Sequence, residues 1–459
     1  MSTICAISTA PGVGGIAVIR VSGPESFSIC DKLFHAQQKN KALSTQAGYT
    51  MLYGTFRHNG EHIDNVVIAV FRAPHSFTGE DTVEISCHGS LYIQQRILRA
   101  LIESGCQLAK AGEFTQRAFM NGKMDLSQAE AVADLIAATS AGQHRLALNQ
   151  MRGGFSRKLR ELRDQLLHIT SLMELELDFS DHEELEFADR TELKNLTRKI
   201  EHTISHLIHS FSTGNAIKNG IPVAIIGETN AGKSTLLNVL LNEDKAIVSD
   251  IHGTTRDIIE DTVNINGQLF RFIDTAGIRE THDTIEALGI ERSFRALDQA
   301  QIVLWVIDNT QATQQIATLS PLILPRCKEK QLIIVFNKAD LRTSEPPVIP
   351  NLSENARIIS ISAKERIGLE QLQETLTESV NLPEGNQADI IISNTRHYEA
   401  LMHALDSIHR VETGLSSNLS GDFISQDLRE CIYHLSDIVG EVTTDEVLGN
   451  IFKHFCIGK

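Results

Sequence analysis

The pattern of apolar and polar positions changes character three times along the chain. Up to about residue 115 it mixes strand and helix periods. "ICAIST" and "GIAVIRV" read as strands, and "DTVEISCHG" as another. "MLYGTFRHNGEHIDNVVIAVF" reads as a hairpin, because Asn59-Gly60 supplies a turn that needs positive φ. "LYIQQRILRALIESG" has the apolar spacing of an amphipathic helix and stops at Gly105. From Ser127 the period is helical: "SQAEAVADLIAATSAGQHRLALNQM" repeats apolar residues at three and four. Gly153-Gly154 interrupts it, and "FSRKLRELRDQLLHITSLMELELDF" and "ADRTELKNLTRKIEHTISHLIHSF" predict two more long helices. After "NGIP" (Asn219 to Pro222) short apolar runs alternate with helical segments: "VAIIG", "LFRFIDT", "IVLWVID", "LIIVFNK". That pattern predicts a parallel sheet covered by helices on both faces. "NLPEG" (Asn381 to Gly385) closes it, and "RHYEALMHALDSIHRVETG" and "ISQDLRECIYHLSDIVG" return to helix.

The expected fold class is therefore multidomain α/β plus α. An α/β domain spans 1–120, and a helical domain is split between 121–216 and 383–459. A Ras-like P-loop domain with a mostly parallel sheet is inserted at 217–382. The length of 459 residues fits such a count, at about 150 residues per domain. Seven dispersed cysteines without a CxxC pair suggest reduced thiols and a cytoplasmic protein. No apolar run approaches the ~20 residues of a membrane span, and the N-terminus lacks the basic region of a signal peptide. A net charge of −16 argues against gripping nucleic acid by the overall field, though not against a local basic patch.

The candidate chemistry lies in the inserted unit. "GETNAGKST" fits G-x-x-x-x-G-K-[ST] and follows a predicted strand. Backbone amides around Asn230, Ala231 and Gly232 would surround phosphates, Lys233 would reach the β and γ groups, and Ser234, next to Thr235, would ligate Mg²⁺. "SDIHGTTRD" carries Ser249, Asp250, Ile251, His252, Gly253, Thr254 and Thr255, and Thr255 would complete the Mg²⁺ shell. "DTAG" (Asp274, Thr275, Ala276, Gly277) ends a strand: Asp274 would hold Mg²⁺ through water, and the Gly277 amide would face the γ-phosphate. In "NKAD" the Asp340 carboxylate can accept from guanine N1 and N2, a donor pair adenine lacks. Asn337 begins that motif, and the Lys338 stem would cover the base. "SAK" (Ser362, Ala363, Lys364) would add a backbone contact to the guanine oxygen. "GETNAGKST", "DTAG", "NKAD" and "SAK" all fall at the C-terminal ends of predicted strands, where such sheets bind ligands. Many GTPases carry a water-orienting Gln after "DTAG"; here Ile278 stands there, with no group to orient water.

These motifs, with "GTTRD", "DTAGIRE" and the closing "FCIGK", resemble the MnmE (TrmE) family of tRNA-modification GTPases over the whole length. "SFTGED", "GEFTQRAF" and "NGKMDLSQAEAVADLI" resemble its N-terminal half. The resemblance implies that Glu286 orients the attacking water. It also implies a K⁺ in place of an arginine finger, held by Asn230, Ser249, the Ile251 carbonyl and Thr254. It implies a homodimer and a complex with the flavoprotein MnmG, as a heterotetramer or larger. The implied substrate is the wobble uridine of certain tRNAs, modified at C5 with an aminomethyl or carboxymethylaminomethyl group. A 5-formyl- or methylene-tetrahydrofolate site is implied at Arg20, Glu84, Lys123 and Lys459. The alternative for those four is a surface ion pair, and Cys456 could equally be an ordinary partly buried thiol rather than a nucleophile. The rival from another class is a ribosome-assembly or regulatory GTPase switch; such factors usually carry an RNA-binding module, and none is evident in this acidic chain.

Overall fold

The computed structural model describes residues 2–38, 41–178, 190–245, 261–273, 295–341, 346–380, 390–417, 419–442, 444–453 and 455–458. Ser249 to Thr255, Asp274 to Gly277, Glu286 and Lys459 lie outside the described residues. The chain forms two compact units. One comprises Met1–Ala137, Gln150–Glu201 and His403–Lys459; the other comprises Ala138–Asn149 and His202–Met402.

The first unit contains a seven-stranded sheet. Its strands are β1 (Ile4–Ile7), β2 (Ile16–Ser22), β3 (Phe34–Ala36), β4 (Thr50–His58), β5 (Glu61–Phe71), β6 (Thr82–His88) and β7 (Gln107–Leu108). The order is β3-β4-β5-β6-β2-β1-β7, antiparallel throughout except for β1 beside β7. The β4–β5 hairpin turns at Asn59 and Gly60, both at positive φ as expected. Alternate residues Ala17, Ile19 and Val21, Val66, Ile68 and Val70, and Val83, Ile85 and Cys87 enter one core. The period of two puts Arg20 and Glu84 on the opposite face, directly across from each other in register.

In the same unit, helix Gly154–Asp178 packs along helix Gly421–Val439. The buried positions explain why. Phe155, Leu159, Leu162, Leu166, Ile169 and Met173 step by four and three, as do Ile424, Leu428, Cys431, Leu435 and Ile438. Each series is a narrow apolar seam of the kind two helices close against each other. Beyond this pair, helix Asp445–Phe452 sets Leu448 and Phe452 against Leu126 and Ala129. The chain then returns to the sheet: Ile457 bridges Ala111, and Ser8 Oγ donates to the Gly458 carbonyl at 3.0 Å. Gly458 has φ 98°, and a Cβ there would sit 2.2 Å from the Ile7 carbonyl, so only glycine closes this contact.

The second unit contains a six-stranded sheet of β8 (Ile221–Ile226), β9 (Asp261–Ile265), β10 (Gln268–Phe272), β11 (Ile302–Asp308), β12 (Gln331–Asn337) and β13 (Arg357–Ser360). The order is β13-β12-β11-β8-β10-β9. Five strands are parallel, and β9 is an antiparallel edge strand. Both faces are buried. Val223, Ile225, Leu304, Val306, Ile333 and Val335 join one core with helices Lys233–Lys245 and Leu369–Glu378. Ala224, Ile226, Val303, Trp305, Ile334 and Phe336 join another with helix Ala312–Ile323. The continuous helix expected from Ser127 to Met151 is instead two, Leu126–Ala137 and Ala141–Met151. At the break Gln143 Oε1 accepts the amides of Thr139 and Ser140, which starts a new helix rather than continuing the old one. Among the described residues no helix is long and apolar enough to cross a membrane.

Leu166 sits midway along the seam and is fully buried. Leu166→Ala should lower the stability of this unit by about 2–5 kcal/mol, read as an earlier urea transition by far-UV circular dichroism. An unchanged transition would mean the seam is not a load shared by the two helices.

Candidate GTP site

β8 delivers the chain to the loop Gly227–Gly232, and helix Lys233–Lys245 leaves it. Asn230 sits at φ 64° and Gly232 at φ 96°, so the loop turns tightly enough to aim its amides inward. Lys233 Nζ folds back and donates to the Gly227 and Glu228 carbonyls, each at 2.8 Å. Burial pushes the Lys233 ammonium below its ordinary range, and the Glu228 carboxylate offsets part of that. Among the described residues its Nζ bonds are to these neutral backbone carbonyls, with only the Glu228 charge nearby. A polyphosphate would supply this half-buried cation with a directly bonded counter-charge. Ser234 and Thr235 follow on the first turn of the helix, whose dipole favours the same anion.

Asn337, at the end of β12, joins three stretches of sequence. Its Nδ2 donates to the Ala231 carbonyl of the phosphate loop at 2.9 Å. Its Oδ1 accepts from Lys338 N at 2.8 Å and from Ala363 N at 3.0 Å. The residue is 3% exposed, so these bonds form away from water. Gly232 permits the approach: a Cβ there would lie 2.1 Å from Asn337 Nδ2. The "GETNAGKST", "NKAD" and "SAK" motifs thus meet at one end of one sheet. Asp340 is exposed in the turn Ala339–Leu341, where its carboxylate is open to a ligand. Ser362 is buried and its hydroxyl accepts from Glu365 N, while Lys364 is exposed.

Sequence reasoning did not single out Asp308. This residue ends β11 at the same sheet edge, and Lys338 Nζ donates to its Oδ2 at 2.6 Å. Burial pushes the Asp308 carboxyl up, but hydrogen bonds from Lys338 and Thr310 outweigh it and leave it below the usual carboxylate range. One signal was present: an acid closing the otherwise apolar run "IVLWVI".

In the first unit, Arg20 and Glu84 are brought together. Arg20 Nε donates to Glu84 Oε1 at 2.9 Å, and the guanidinium lies 5.2 and 5.6 Å from the rings of Phe77 and Phe114. Glu84 keeps further acceptor capacity and is partly open, so this pair fits a planar, amino-bearing ring that can share the carboxylate. Lys123 is not joined to the pair by any described contact; its Nζ donates to the Pro74 carbonyl at 2.9 Å. The "SFTGED" and "GEFTQRAF" motifs meet through Arg117, which is 4% exposed and bonds Glu80 and Glu113. Cys456 is exposed, while the other six cysteines are buried and all seven are free.

A family model described as the MnmE helical domain matches residues 126–456, and one described as the GTP-binding protein TrmE N-terminus matches residues 3–123. The tRNA modification GTPase MnmE of Parabacteroides distasonis is 71% identical over 100% of this chain and 100% of that protein. The tRNA modification GTPase MnmE of Bacteroides thetaiotaomicron is 62% identical over 100% of this chain and 99% of that protein. A crystal structure of Era in complex with MgGDPNP and a segment of 16S ribosomal RNA is 27% identical, covering 40% of this chain and 65% of that one, with a TM-score of 0.26.

Lys233→Ala removes the cation from the loop. Guanine nucleotide affinity should fall about 100-fold, the scale of lost charge-assisted hydrogen bonds, while the weak affinity for guanosine should stay unchanged. Titrating both ligands by calorimetry checks this, and equal losses for the two would contradict the phosphate assignment.

Proposed function

The chain belongs to the MnmE (TrmE) family of tRNA modification GTPases, a GTP-hydrolysing enzyme, and from that premise we propose how it acts. The reaction it serves adds an aminomethyl or carboxymethylaminomethyl group to C5 of the wobble uridine, position 34, of certain tRNAs. It works as a homodimer, with the flavoprotein MnmG, in the cytoplasm. The domains run 1–120, 121–216 with 383–459, and 217–382. The observation that carries the reading is the Asn337 carboxamide, which ties the phosphate loop to both base-recognition loops in a chain related to the family along its full length.

In this reading the amides of Asn230 to Gly232 and the Lys233 ammonium bind the β- and γ-phosphates. Asp340 selects guanine by accepting two hydrogen bonds, and Lys338 and the Ser362–Lys364 loop complete the base site. Ser234 and Thr255 would hold Mg²⁺ directly, and Asp274 would hold it through water. Asn230, exposed on the loop, joins Ser249, Ile251 and Thr254 in holding K⁺. The two cations supply positive charge where phosphoryl transfer develops negative charge. Glu286 accepts a hydrogen bond from the attacking water and sets it in line, the task Ile278 cannot perform. Arg20 and Glu84, with Lys123 and Lys459, bind the 5-formyl- or methylene-tetrahydrofolate that donates one carbon.

Glu286→Ala should lower the GTP turnover number by about 10²–10⁴-fold and leave GTP affinity nearly intact. Cells carrying only that variant should lose the C5 modification on nucleoside analysis of their tRNA. Turnover at the normal rate would remove Glu286 from the mechanism; unchanged tRNA in cells lacking the protein would remove the tRNA assignment.

A further inference from the structure

A carboxylate taken out of water is costly unless its oxygens are satisfied. Asp308 is only 5% exposed, and each of its oxygens has a separate task. Oδ1 accepts from Thr310 N at 2.9 Å and from Thr310 Oγ1 at 2.7 Å. The Asp308 amide donates to Gln315 Oε1 at 2.9 Å, which fixes the strand end against helix Ala312–Ile323. Oδ2 is left to Lys338 Nζ, at 2.6 Å.

Lys338 is consequently held at both ends. Asn337 Oδ1 takes its amide, its backbone sits at φ 61°, and Asp308 takes its ammonium. The four-carbon stem between those anchors has given up its rotamer freedom before any ligand arrives. Its side chain is still one-third exposed, so the restrained stem offers apolar surface to something outside.

We infer that Asp308 is a positioning residue for guanine recognition: by tying down the Lys338 ammonium it presents the lysine stem as a preformed cover for one face of the base. The inference rests on the reading of Lys338 as the base cover given above. In this arrangement Asp308 acts through Lys338 rather than on the nucleotide directly. Its contribution is to affinity, through Lys338, and not to the hydrolytic step. An ion pair that merely closed the ends of β11 and β12 would instead act on folding and independently of the ligand.

A double-mutant cycle on the full-length protein separates these cases. GDP affinity is measured by calorimetry for the wild type, Asp308→Asn, Lys338→Ala and the double variant. Asp308→Asn should weaken GDP binding about five- to tenfold, the scale of one side chain losing its preorganisation. Its KM for GTP should rise by a similar factor while kcat stays within about twofold. Lys338→Ala should weaken binding at least as much, and the double variant should be no worse than Lys338→Ala alone. Thr310→Ala, which keeps the charge and removes one bond to Oδ1, should show a smaller loss that also vanishes beside Lys338→Ala; it serves if Asp308→Asn fails to fold. Losses that multiply in the double variants, or wild-type affinity in a folded Asp308→Asn, would overturn the inference. Wild-type affinity in Lys338→Ala would overturn the base-cover reading itself, and the inference with it.

Discussion

The nucleotide site depends on one buried carboxamide. Asn337 spends its donor on the Ala231 carbonyl and its acceptor on the amides of Lys338 and Ala363. A net hydrogen bond contributes about 1 kcal/mol, but a buried group left without a partner costs about 1–3 kcal/mol. Three loops that are far apart in sequence are therefore coupled through a side chain whose failure would strand several polar groups at once. The glycine at 232 belongs to the same constraint, because any side chain there would occupy the space of the carboxamide.

The sheet makes that convergence possible. Parallel strands all end at the same end of the sheet, so the loops after β8, β12 and β13 start there together, with β11 between β8 and β12. Their register is fixed by alternation into two apolar cores: Ile333 and Val335 to one, Ile334 and Phe336 to the other. A slip of one residue would exchange the faces and turn Asn337 away from the phosphate loop. The first unit uses a comparable economy at the opposite ends of the chain. Gly458 closes against Ile7, and the period of two sets Arg20 and Glu84 side by side on the face of the sheet opposite its main core.

Much of this was legible from residue order. The phosphate loop and base loops are local motifs whose chemistry requires specific residue types, and the two helix seams announce themselves by their spacing. Other features were legible in principle and missed. Asn266-Gly267 makes the β9–β10 hairpin, both residues at positive φ, by the same logic that identified Asn59-Gly60. The run "LFRFIDT" reads as a strand by itself, while its antiparallel partner Asp261–Ile265 has only Val263 and Ile265 as apolar positions. Asp308 and Arg117 were hidden for a different reason. Arg117 pairs locally with Glu113, but the partners that matter here, Lys338 for Asp308 and Glu80 for Arg117, lie 30 and 37 residues away, and only the folded chain brings them together. The break at 138–140 was masked by apolar spacing that continues through it; a capping Gln143 outweighs that spacing locally.

The most direct measurement is calorimetric titration of GDP into full-length Asn337→Ala, with thermal unfolding recorded alongside. The predicted result is an affinity loss of about 100-fold or more in a protein that remains folded, since the phosphate loop and both base loops lose their common anchor together. Affinity close to that of the wild type, in a folded variant, would contradict the claim that this one side chain holds the site.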